Sequence, residues 1–197
     1  MTRCTCSRAD FERRARDAGG QWSGPGCPGS CAERGPGGGP AALRAAIGGG
    51  DETWDDVLLG PASAPVSLAG DLVVRDRLGN WTYPFAVVVD DLRQAIDLVV
   101  RGRDLVADTP RQIRLGRLLG RPVPPVFAHH PLVLRPDGTK LSKSAGDTGV
   151  GELRSAGWTP DEVVGAAAAA VGLVPAGTRV VAADAAALVT RPAMARG

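Results

Sequence analysis

Tyr83-Pro84-Phe85-Ala86-Val87-Val88-Val89-Asp90-Asp91 is the stretch on which the fold turns. From Phe85 to Val89 the residues are apolar without a break, the last three are β-branched, and two carboxylates end the run. A short continuous apolar run is what a strand buried on both faces of a parallel sheet presents, so an α/β chain is expected. Open α/β sheets place their ligands outside the carboxyl ends of the strands. Asp90 and Asp91 therefore either face such a site or cap a helix over residues 92–98, and capping is the simpler role for one of them.

Upstream, residues 71–76 run into the turn dipeptide Gly79-Asn80 and return through residues 81–85, which predicts a hairpin. Residues 41–47 suit a short helix, and residues 54–57 and 66–74 suit strands, with a turn at Gly60-Pro61. Downstream, Asp108-Thr109-Pro110 supplies an N-cap with proline at the first helical position, and Leu119-Gly120 supplies the stop. A further strand lies within residues 123–134. Thr159-Pro160-Asp161-Glu162 has the spacing of a capping box and starts a helix through residue 171. The Ala-rich end of the chain is expected to hold one more short helix.

Of the 23 basic residues all but Lys140 and Lys143 are arginine, and both lysines sit in Gly138-Thr139-Lys140-Leu141-Ser142-Lys143-Ser144. An ammonium on a flexible stem can follow a phosphate as it moves, where arginine favours fixed bidentate contacts. The loop reads as a phosphate-handling segment or, on composition alone, as a solvated basic turn. A net charge of +2 with 22% charged residues gives no global case for nucleic acid. RNA contact would have to come from a local cluster such as Arg111, Arg114, Arg117 and Arg121, whose spacing equally fits the solvated face of a helix. No apolar run reaches a membrane span and the start lacks a secretion signal, so a cytoplasmic protein without membrane contact is expected.

All 4 cysteines fall early, as Cys4-Thr5-Cys6 and Cys27-Pro28-Gly29-Ser30-Cys31. Two close pairs separated by a loop have metal-ligand spacing, and four thiolates would close the coordination sphere of a structural zinc ion. A segment so poor in large apolar residues also needs a staple. Redox or disulfide use, and cysteines without a special role, remain alternatives, because C-x-C with C-x3-C departs from the commoner C-x2-C pairs. The expected organisation is a zinc-binding module over residues 1–40, a core over 41–150 that carries the lysine loop, and a helical tail over 151–197.

Taken in order, the two cysteine pairs, Gly70-Asp71-Leu72-Val73-Val74-Arg75, Tyr83 to Asp91 as quoted above, Val100-Arg101-Gly102-Arg103-Asp104-Leu105, Thr109-Pro110-Arg111-Gln112 and Lys140-Leu141-Ser142-Lys143 resemble the glutamyl-Q tRNA(Asp) synthetases. These are short paralogues of the catalytic core of glutamyl-tRNA synthetase, and the resemblance spans residues 4–173. It implies a Rossmann-type class I core and a ligase that activates glutamate with ATP and Mg²⁺, then transfers it to queuosine in the anticodon of tRNA(Asp). Carried over by position, Tyr83 and Arg101 match the glutamate-binding pair. Lys140, Ser142 and Lys143 match the mobile ATP-binding loop, in which both lysines act catalytically on the departing pyrophosphate. Cys4, Cys6 and Cys31 match zinc ligands, and Cys27 stands where the family often has tyrosine. Each role is chemically apt, since arginine clamps carboxylates and a tyrosine hydroxyl orients polar groups. Taken singly, Arg101 reads more readily as a surface arginine in a turn and Tyr83 as a hairpin aromatic.

Val87 stands where glutamyl-tRNA synthetases usually show asparagine, which favours the queuosine paralogue, and the 54 residues after Lys143 leave no room for an anticodon-binding domain. Family members carry an HIGH-like ATP motif, an early arginine and an acidic residue ahead of the cysteines, and none precedes Cys4. The resemblance therefore implies a partial Rossmann core, inactive alone, with a late start codon or a separately encoded N-terminal half as the explanation. A non-catalytic zinc-stabilised tRNA-binding module and the product of a degraded gene are the other readings.

Overall fold

The computed structural model describes residues 1–17, 19–21, 38–66, 70–134, 138–139 and 149–189 of the 197. They fall into two compact units, Met1–Val99 with Leu105–Phe127, and Val100–Asp104 with the residues from Ala128 onward. The first unit opens with strand β1 (Thr2–Cys4) and helix α1 (Arg8–Asp17), followed by strands β2 (Ala42–Ala45), β3 (Asp51–Trp54), β4 (Ala62–Pro65) and β5 (Leu72–Arg75). Helix α2 (Tyr83–Arg93), strand β6 (Leu98–Gly102), a 3-10 segment (Arg103–Asp108), helix α3 (Thr109–Leu118) and strand β7 (Val126–His130) come next. Helices α4 (Val150–Ser155), α5 (Pro160–Ala170) and α6 (Ala185–Val189) lie in the second unit.

β1, β2 and β5 form an antiparallel sheet with Arg3 opposite Leu43 and Arg44 opposite Val73. β3 and β4 form a hairpin with Trp54 opposite Ala62, closed by the Gly60-Pro61 turn, where Gly60 takes a φ of +82° that glycine tolerates without strain. β6 pairs with β7, and a parallel bridge joins Asp56 to Phe127. The segment 41–47, expected as a helix, carries strand β2 (Ala42–Ala45), whose backbone pairs with β1 on one side and β5 on the other, with a register shift between Leu43 and Arg44.

The decisive stretch departs from its sequence reading. Phe85 to Val89 lies inside α2, not in a strand. Thr82 is the extended N-cap, its hydroxyl donates to the Val73 carbonyl at 2.6 Å, and Pro84 occupies the first turn, where a missing N–H costs nothing. The hairpin return thus shrinks to one bridge, Arg75 to Trp81, before the helix begins. Of the valines only Val88 is fully buried, and with Phe85 and Val87 it packs on a core of Ala45, Ile47, Val66, Leu72, Val74 and Leu115. The helix expected over residues 92–98 is replaced by the end of α2 and the start of β6. Ala95 closes α2 in the left-handed region at φ +55°.

The helix starts and stops fall where the local signals put them, although Asp108 makes no side-chain capping bond. α3 starts after Asp108 with Pro110 in its first turn and ends at Leu119, with Gly120 at φ +92°. α5 starts after Thr159, where the Glu162 carboxylate accepts from the Thr159 backbone N–H and hydroxyl, both at 2.8 Å. Gly165 in α5 meets the chain at Thr178, and a Cβ there would lie 1.9 Å from the Thr178 carbonyl oxygen. The strand expected within residues 123–134 is β7. Among the described residues no helix is long and apolar enough to cross a membrane.

Candidate active site

Arg101 stands near the end of β6 and is 8% exposed, while His129 in β7 is fully buried at 0%. The Arg101 Nε–H donates to His129 Nε2 at 2.9 Å. Guanidinium is always protonated, so Nε can only donate, and Nε2 must be the accepting nitrogen of the imidazole. A bond from Nε to a ring wedged in the interior fixes the plane of the guanidinium fork. At the next residue, Gly102, a Cβ would lie 2.5 Å from Asp104 Oδ1 and 3.0 Å from Leu132 Cδ2, so those side chains would have to shift. The Val-Arg-Gly-Arg-Asp string is thus a strand end whose glycine lets the following 3-10 segment fold back over it.

Tyr83 begins α2 in the first unit and is 57% exposed. Nearby, Trp81 stacks on Phe85 with ring centroids 4.9 Å apart, and the Arg75 guanidinium lies 5.4 Å over the Trp81 ring. Tyr83 and Arg101 belong to different units. Lys140, Ser142, Lys143, Cys27 and Cys31 lie outside the described residues. Cys4 is buried against Phe11, with Cys6 half-buried beside them. Among the described residues no three metal-ligating side chains gather in one group.

Arg111, Arg114, Arg117 and Arg121 all have partners within the protein. Arg111 is buried and donates to the Gly70 carbonyl at 3.1 Å; burial pushes its guanidinium below the ordinary pKa, with Asp108 opposing. Arg114 donates to Glu52 at 2.6 Å and to the carbonyls of Ile47 and Gly49, both at 3.0 Å. Arg117 donates to the other Glu52 oxygen at 3.0 Å and to the Pro122 carbonyl, and Arg121 donates to the carbonyls of Val123 and Ile96. Burial alone would raise the Glu52 carboxyl, yet the hydrogen bonds from Arg114 and Arg117 outweigh it and hold its pKa below the ordinary value. Arg114 and Arg117 tie α3 to β3 and its flanking turn through Glu52 and backbone carbonyls, while Arg117 stays partly exposed to solvent. The Thr-Pro-Arg-Gln string is buried from Thr109 to Gln112.

The family model for the catalytic domain of class I tRNA synthetases (E and Q) matches residues 30–184, most of the chain. The chain belongs to that family. A glutamyl-Q tRNA(Asp) synthetase of Symbiobacterium thermophilum is 41% identical over 180 residues, which is 87% of this chain and 55% of that protein. One from Leptothrix cholodnii is 44% identical over 181 residues, 86% of this chain and 58% of that protein. A glutamate–tRNA ligase of Syntrophobacter fumaroxidans is 39% identical over 163 residues, covering 82% and 35%. A solved glutamate tRNA ligase from Elizabethkingia meningosepticum superposes with a TM-score of 0.65 over 93% of this chain and 43% of its own, at 20% identity, and so shares the fold. The chain spans between 55% and 59% of the length of the glutamyl-Q tRNA(Asp) synthetases it matches.

Sequence reasoning left out His129, the residue to which Arg101 donates. The signal was present, since the chain holds 2 histidines and both stand in one strand just ahead of the lysine loop. Strand pairing, which decides what lies opposite Arg101, was not legible there.

Proposed function

We propose that this chain is part of a ligase that activates glutamate with ATP and Mg²⁺ and transfers it to queuosine in the anticodon of tRNA(Asp). The observation that carries the reading is Arg101, a buried guanidinium fixed by His129 at the end of a strand, in a chain of the class I tRNA synthetase (E and Q) family. A carboxylate is the natural partner of such a fork. In the first step a glutamate carboxylate oxygen attacks the α-phosphorus of ATP, the bond to the β-phosphate oxygen breaks, and pyrophosphate leaves. In the second a hydroxyl of the modified base attacks the mixed anhydride, and AMP leaves.

Within that scheme Arg101 and Tyr83 hold glutamate, and Lys140 and Lys143 with Ser142 neutralise the phosphates as charge moves to pyrophosphate. Zinc on Cys4, Cys6, Cys27 and Cys31 would tie the N-terminal segment to the sheet that begins with β1. The support for it is the donor chemistry: Cys4 and Cys6 bring two thiols together beside Phe11, although only those two of the four lie in the described residues. Metal analysis of the purified protein should find about one zinc per chain, and serine at Cys31 should release it.

Glutamate-dependent exchange of pyrophosphate into ATP, measured on the intact polypeptide or complex that carries these residues, tests the activation step. Arg101→Lys should raise the glutamate KM about ten- to a hundred-fold by replacing a fork with a point charge. Equal exchange with aspartate, or an unchanged KM, would sink the reading. Glutamate transfer to tRNA(Asp) with and without queuosine, and to tRNA(Glu), then decides the acceptor.

A further inference from the structure

We infer that His129 is the positioning residue of the glutamate site: it sets the orientation of the Arg101 guanidinium by accepting its Nε–H at 2.9 Å. The inference rests on the assignment of Arg101 to glutamate and deepens it. A guanidinium on a long side chain has several rotamers, and strand β6 alone does not choose among them. One bond from Nε removes that freedom, because the five N–H groups share one plane. Within the proposed glutamate site, Nε is committed to the imidazole, and the planar fork carries the remaining N–H groups. His129 suits the task because it stands in β7 and is fully buried, so its ring is held in the interior beside Arg101. Its immediate neighbour His130 is only half-buried and its Nδ1 lies 2.8 Å from the Pro131 carbonyl oxygen, so the two histidines are not equivalent.

The arrangement fixes a tautomer. Nε2 accepts, so the ring proton belongs on Nδ1, and nitrogen-15 NMR of histidine-labelled protein reads this directly in the unaltered chain. A signal showing the proton on Nε2 of His129 would overturn the inference whatever the variants do.

Three substitutions complete the test in pyrophosphate exchange. His129→Gln places an amide oxygen where Nε2 stands and should keep the glutamate KM within about threefold. His129→Asn draws the acceptor back by one bond length and should raise the glutamate KM about tenfold or more, with the ATP KM little changed, as misplacement of a binding group implies. His129→Phe keeps the ring and removes the acceptor and should follow asparagine; if it fails to fold, the Gln and Asn pair decides alone. Equal glutamate KM values for Gln and Asn would refute the positioning role. The two readings separate through Arg101→Lys: no change there removes Arg101 from the glutamate site, whereas a rise there with no effect of His129→Asn overturns only the inference about His129.

Discussion

Glu52→Gln should destabilise the first unit by about 2–3 kcal/mol at pH 7, and the reason is the way α3 is fastened. The Glu52 side chain is 6% exposed and receives Arg114 Nε on one oxygen at 2.6 Å and Arg117 Nε on the other at 3.0 Å. Hydrogen bonds to charged partners contribute about 1.5–3 kcal/mol each. The Arg117 side chain is 41% exposed, however, so solvent screens its share toward the surface value of about 0.5 kcal/mol. Glutamine keeps the volume and one acceptor but turns an NH₂ toward a guanidinium, so most of the Arg114 bond is lost. Urea denaturation of the purified protein at pH 7 reads the difference, and thermal unfolding should fall by about 5–10 °C for a chain of this size. The pH dependence carries a second check. The folded Glu52 pKa lies below its ordinary 4.5, so its contribution is complete above that pH and is lost as pH falls through the lower folded value. The gap between the two proteins should therefore narrow below about pH 4.5. A gap under about 0.5 kcal/mol at pH 7 would refute the reasoning and return Arg114 and Arg117 to the role of a solvated or RNA-facing pair.

Gly165→Ala should cost about 3 kcal/mol, because its Cβ would have to displace the Thr178 backbone rather than a side chain; circular dichroism melting measures it, and a neutral effect would mean that the 178–180 segment docks loosely on α5. Ala95→Gly should raise stability by about 1 kcal/mol by relieving an exposed left-handed alanine, as seen by a higher urea midpoint. Asp161→Asn should lower the melting temperature near neutral pH, because hydrogen bonds from Thr159 and then Arg179 hold its carboxyl at about 2, down from 3.8. That contribution is present above pH 3.8 and disappears as pH falls through about 2, so the two melting curves should converge in acid.

What the sequence revealed depended on the kind of signal. Caps and turns carry their own geometry: Pro110 after Asp108, Gly120 after Leu119, and the Thr159 and Glu162 pair each announced a helix end through local chemistry, and each is found there. Apolar runs do not. Phe85 to Val89 fits a buried strand or a half-buried helix, and periodicity over five positions cannot separate the two. The datum that separates them was adjacent, since Thr82 with Pro84 two residues later is a helix start in which proline's missing N–H is harmless. Residues 41–47 failed for the opposite reason, because alanine favours helices only until pairing with β1 and β5 decides the matter.

The candidate site shows the same division at the level of chemistry. Arg101 was singled out by the family resemblance alone, since by residue type it reads as a turn arginine. The arginines of α3 have the same type and a more suggestive spacing, yet their partners are Glu52 and backbone carbonyls. Charge type therefore does not distinguish a binding arginine from a fastening one; the acceptor each faces does. At Arg101 that acceptor is a neutral imidazole nitrogen, which satisfies one donor without neutralising the charge, and at Arg114 it is a carboxylate, which does both. The bond to His129 holds the Arg101 guanidinium in place, and a carboxylate is the natural partner of such a fork in the proposed glutamate site.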